Sequence, residues 1–237
     1  MSRLNVPSLQ HLARNWREDP LWIMRLLVRL AENPPRLNYN PLFSAVRDML
    51  VLGVPYEQIV KGVYWGVQRP DVRDNFLGVL PLIRDYFAGV SPTYIQTVQR
   101  RYYPAGRGLL IPFEPPLIYG VRGQIHFPWF SFWRRNPIAN RGLSLFVTIV
   151  EDVLLQDPDL EDANFLILDF STPGPKQPRT LKVINAADIP RVTAAEREKM
   201  LSIFVEGFEL AKAVLAAGSS QPKGEHPTDP DQGNFDF

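Results

Sequence analysis

The stretch from Tyr102 to Arg141 constrains the fold more than any other. It reads YYPAGRGLLIPFEPPLIYGVRGQIHFPWFSFWRRNPIANR and holds nine of the chain's 27 aromatics and six of its 23 prolines. That many prolines exclude a long helix, and that many rings exclude a solvated loop. Between Gln99 and Arg141 stand seven arginines and a single acid, Glu114, with no lysine. Strand and turn material with one apolar side and one arginine-rich side accommodates the mixture.

A chain of 237 residues can bury a full core in one domain or two small ones. The net charge of +1 leaves electrostatic arguments to local asymmetry. Cysteine is absent, which removes disulfides, thiolate nucleophiles and cysteine-ligated metals. The first twenty residues lack the apolar run of a signal peptide. The most apolar helical segment, Leu21–Leu30, carries Arg25 and Arg29 and is too short to span a bilayer. The expectation is a cytoplasmic protein with no membrane contact.

Before Tyr102 the chain reads as helices with proline starts. Ser8–Trp16 is a short helix. Asp19-Pro20 opens a stronger one, with aspartate at N-cap and proline at N1. Asn40-Pro41 repeats the signal, Gly53 closes that helix, and Pro55 begins the next. A further helix spans Val72–Phe87 and is kinked or divided at Pro81. Ser91-Pro92 starts one more, TYIQTVQRR. The segment Ala45–Trp65 has the helix, glycine turn, helix order of a DNA-reading motif. Its second helix offers one cation, Lys61, so ordinary packing is the better reading.

The C-terminal half reads as a sheet closed by one helix. Leu109–Phe113, Leu117–Val121 and Gln124–Trp133 are strands, and Gly106-Arg107-Gly108 is a linker. In the third strand strict alternation puts aromatics on both faces. It is therefore buried on both sides, or it lies at an edge or bends at Pro128, which is the favoured reading. Leu143–Val150 is β-branched and reads as a strand followed by a helical turn, with a helix throughout as the alternative. Asn164–Phe170 and Thr180–Ile184 form a hairpin around a proline-rich loop. Thr193 and Glu196 make a capping box for a long helix to about Ala217. The predicted class is α+β: an N-terminal helical bundle-like part (1–105), then a small, mainly antiparallel sheet covered by a long C-terminal helix (106–218). An acidic, aromatic tail follows (219–237).

Functional candidates follow from charge. Arg100, Arg101, Arg107, Arg122, Arg134, Arg135 and Arg141 precede a stretch, Gly142–Pro175, with seven acids and no base. With Tyr102, Tyr103, His126, Trp129 and Trp133 they make up a predicted binding surface. Arginine forks and large rings suit protein interfaces, and they also suit phosphate and stacked bases. The plain structural alternative pairs the arginines with the acidic block and places the rings in the core. Phe235 and Phe237 in the tail are predicted to dock into a partner's pocket. A metal-dependent nuclease centre on Asp169 with Glu151 or Asp152 lacks a cationic group near Asp169 other than Lys182. His11, His126 and His226 lack zinc-ligand spacing. No catalytic residue, metal or cofactor is assigned. The chain is expected to be a non-enzymatic interaction or assembly protein that binds a protein or itself. A nucleic-acid-binding protein using the same surface is the rival.

Overall fold

A computed structural model describes residues 4–34, 39–114, 117–154 and 156–218. Six helices come first: α1 (Leu9–Asn15), α2 (Pro20–Glu32), α3 (Asn40–Leu50), α4 (Tyr56–Gly66), α5 (Pro70–Leu77) and α6 (Leu80–Phe87). All but α1 carry proline at the cap or in the first two positions, where its missing amide costs no hydrogen bond. The Asp19 carboxylate accepts from the Leu21 amide at 2.8 Å, as its cap position demands. Pro81 divides rather than kinks: α5 stops at Leu77 and α6 begins anew. At α3 the cap is Tyr39, and Asn40 is already helical.

The strands are β1 (Tyr94–Gln96), β2 (Arg101–Gly106), β3 (Leu109–Phe113), β4 (Ile118–Val121), β5 (Gln124–Ser131), β6 (Asn164–Asp169) and β7 (Lys182–Asn185). Helix α7 (Asn140–Leu154) lies between β5 and β6, and α8 (Ala194–Gly218) follows β7. Five strands form one sheet in the order β1-β4-β5-β6-β7. Only β5 and β6 run parallel, joined by α7 as the crossover. Strands β2 and β3 pair separately as a hairpin. The class is therefore α+β, with N-terminal helices, a mixed, mainly antiparallel sheet and a long C-terminal helix packed on it.

The five-stranded sheet lies between two cores. Phe127, Trp129, Phe165 and Ile167 enter the first, with residues of α1, α2, α7, α8 and the β2–β3 hairpin. Phe130, Phe132, Leu168 and Phe170 enter the second, against α3 to α6. The N-terminal helices thus divide between the two faces. Strand β5 is buried on both sides, not at an edge. Pro128 is tolerated there because β4 pairs only with Gln124–His126, and beyond them β5 is bonded to β6.

Three local expectations are corrected. The segment after Ser91-Pro92 is not a helix: Thr93 donates from its amide and its hydroxyl to the Gly120 carbonyl, at 2.8 and 3.1 Å, and β1 follows. Its β-branched and aromatic residues fit a pleated surface better than a helix. Gly106-Arg107-Gly108 is not a linker but the tip of the β2–β3 hairpin, where all three residues have positive φ. Leu143–Val150 is helical throughout, inside α7. Residues Leu145 to Val150 are all buried, so packing between the sheet and neighbouring helices overrides the β preference of Val147, Thr148, Ile149 and Val150.

Helix α7 approaches α1 closely at Gly142. A Cβ there would stand 2.2 Å from the Ala13 carbonyl oxygen. Gly142→Ala is expected to cost about 2 kcal/mol, because one of two packed backbones must move. It should lower the urea midpoint with an unchanged slope. An unaltered midpoint would refute the close seating of α1.

Candidate functional site

The predicted arginine and aromatic surface divides into groups with different surroundings. Trp129 and Trp133 are core residues, and Tyr103 is buried with its hydroxyl donating to Asp152 at 3.2 Å. His126 stacks on Tyr119 at 5.0 Å in the sheet. Arg101 reaches Asp157 at 2.5 Å and the Val153 carbonyl at 3.3 Å. Arg141 bridges Glu18 and Glu196 and lies over the Trp16 ring. Glu196 thus closes only half of the expected capping box, since its amide donates to Thr193 Oγ1 while its carboxylate accepts from Arg141. Arg100 pairs with Glu114 at 2.5 Å on the surface. Arg107, Arg122, Arg134 and Arg135 are exposed. Arg122 and Gly123 have φ of +52° and +80° and make the two-residue turn between β4 and β5.

The β2–β3 hairpin gathers what remains accessible. Its alternation is sharp: Tyr103, Ala105, Ile111 and Phe113 point into the first core. The opposite face carries Tyr102 across from Pro112 and Pro104 across from Leu110. Tyr102 is 54% and Leu110 51% exposed. Arg107 stands at the tip with no carboxylate partner among the described residues. Arg100 and Glu114 flank the other end, a surface pair that adds little in water. The result is a small apolar face with one unmatched cation, Arg107, at its tip.

Both carboxylates of α7 are paired. Glu151 pairs with Arg191 at 2.5 Å and Asp152 with Arg197. Among the described residues no three of His, Asp and Glu are grouped to hold a metal ion. Asp169 lies in a row across the sheet, between Ser131 of β5 and Lys182 of β7. It is buried and accepts from the Ser171 amide and hydroxyl, each at 3.1 Å. Burial raises its pKa, against these hydrogen bonds and the charge of Lys182. Ser131 Oγ adds to that opposition, although it meets no hydrogen-bonding geometry.

Arg179 was not singled out by the sequence. From the loop between β6 and β7 it donates to the Phe132 and Phe170 carbonyls at 3.0 and 2.6 Å. It also holds Asn75 Oδ1 at 2.6 and 3.1 Å. Tyr39 lies against the same group, and burial lowers the Arg179 pKa while the tyrosine opposes the shift. Leu110 was also missed as a contact residue, although the alternation of β2 and β3 was readable once their pairing was known. Trp65, 74% exposed and edge-on to Tyr64 at 5.0 Å, is a further accessible ring.

Phe235 and Phe237 lie outside the described residues. Among the described residues no helix is long and apolar enough to cross a membrane. Comparison of the sequence with models of known protein families and with curated proteins found no match.

Proposed function

We propose that this is a cytoplasmic, non-catalytic protein that works by binding another protein through the outer face of the β2–β3 hairpin. One observation carries the reading: Tyr102 and Leu110 stand exposed on a hairpin whose inner face is fully committed to the core. Tyrosine and arginine beside a desolvatable apolar patch suit the anchors of protein interfaces. The nucleic-acid rival retains Arg107, Arg122 and Arg134 but draws no stacking ring from Trp129 or Trp133.

The full chain, tagged, serves as bait for a binding protein from its host. With Tyr102→Asp and Leu110→Asp together, affinity for the recovered partner is expected to fall about tenfold or more. The melting temperature should hold, because both side chains are outside the core. Equal affinity in the double variant would overturn the reading. Salt-sensitive binding of DNA or RNA by the purified chain, with no loss in the double variant, would favour the rival.

A further inference from the structure

We infer that the segment 225–237 of this same chain docks on the outer face of the β2–β3 hairpin and competes there with the partner; this rests on the function proposed above. The spacing of the rings matches the face. Phe235 and Phe237 are two residues apart, so in an extended segment their rings share one side, about 7 Å apart. The hairpin face presents two cross-strand pairs with the same two-residue offset, Tyr102 with Pro112 and Pro104 with Leu110. Each phenyl ring meets one pair.

The charge of the segment is opposite to that of Arg107. Residues 219–237 hold four carboxylates, Glu225, Asp229, Asp231 and Asp236, against one lysine, Lys223. Arg107, which has no carboxylate partner among the described residues, is the hairpin cation open to them.

The segment is long enough to reach the hairpin. Helix α8 spans 25 residues, about 37 Å at 1.5 Å each. The 17 residues from Gly218 to Phe235 extend about 56 Å at 3.3 Å each. The hairpin packs on α8, since Tyr103 and Arg197 share Asp152. The segment can therefore reach it from the end of the same helix.

The chain has no cysteine, so Asn234→Cys gives a single attachment point for a nitroxide label. In the full chain the amide signals of residues 101–113 are expected to broaden, and to do so equally after tenfold dilution. Phe235→Ser with Phe237→Ser should abolish the broadening, and Arg107→Glu should weaken it. Mixtures in which one copy carries the nitroxide and another the isotope should show none. Broadening elsewhere, none at all, or broadening that appears in the mixed sample as well would overturn the inference, the last by making a second copy the occupant. The double phenylalanine variant should also bind the captured partner more tightly. If the hairpin substitutions abolish partner binding while the label shows no contact, only this inference falls. If the label reports contact and partner binding ignores Tyr102 and Leu110, only the proposed function falls.

Discussion

Replacing Arg179 with methionine is expected to lower stability by about 3 kcal/mol, since a charge-assisted hydrogen bond is worth about 1.5–3 and its orphaned acceptors add to the loss. The guanidinium joins the ends of β5 and β6, through the Phe132 and Phe170 carbonyls, to Asn75 of α5. Methionine fills part of the volume but leaves all three acceptors without their donor. Arg179→Lys should recover little, because one ammonium does not reproduce a planar fork aimed at three separate oxygens. Urea unfolding measures both variants. A loss under about 1 kcal/mol in Arg179→Met would show that water replaces the fork, and would end its role as a structural clasp. Coupling with Asn75→Ala is the second check: the double variant should lose less than the sum of the singles.

Acid should destabilise the fold through His11. Its ring packs edge-on to Trp133 at 5.4 Å. Burial, and then the neighbouring Arg14 charge, push its pKa from 6.5 down to about 4. The unfolded chain therefore binds a proton that the folded chain refuses. Stability contributed by the neutral ring is intact above pH 6.5 and is lost progressively as the pH falls toward 4. At 1.36 kcal/mol per pH unit the loss reaches roughly 3 kcal/mol. Asp169 works in the other direction, because its raised pKa favours the folded state as acid protonates it. His11→Leu separates the two. Between pH 7 and pH 4.5 the variant should lose clearly less stability than the parent chain. Parallel curves would place the acid sensitivity elsewhere.

Much of the fold was legible because its signals are local. Asp19-Pro20, Pro55 and the division at Pro81 act within one turn of helix, where capping chemistry does not depend on the rest of the molecule. The β6–β7 hairpin was legible for the same reason. Helix α7 was not, because Val147, Thr148, Ile149 and Val150 favour a strand until the sheet and its covering helices surround them. The stretch after Ser91-Pro92 failed in the opposite sense, as a proline start that leads into a strand once the Gly120 carbonyl accepts from Thr93. In the candidate site, the arginine-rich span was visible but its division was not. Whether an arginine faces solvent, as Arg107 does, or reaches a carboxylate 56 positions away, as Arg101 does, is decided by the fold. Arg179 illustrates the limit, since its acceptors are two carbonyls and an asparagine more than a hundred residues upstream.

The pairing of α2 with α8 has a consequence for synthesis. The first core takes Ile23 and Leu27 from the start of the chain and Phe204, Phe208 and Ala211 from near its end. At about 5–20 residues per second, the ribosome needs roughly 10–40 s to travel from the end of α2 to the end of α8. Through that interval the apolar stripe of α2 has the short α1 beside it but lacks Phe204 and Phe208, whereas α3 to α6 already have one another. Helix α2 must therefore be sheltered until α8 is made, and nascent chains stalled before residue 200 should be held by chaperones at α2.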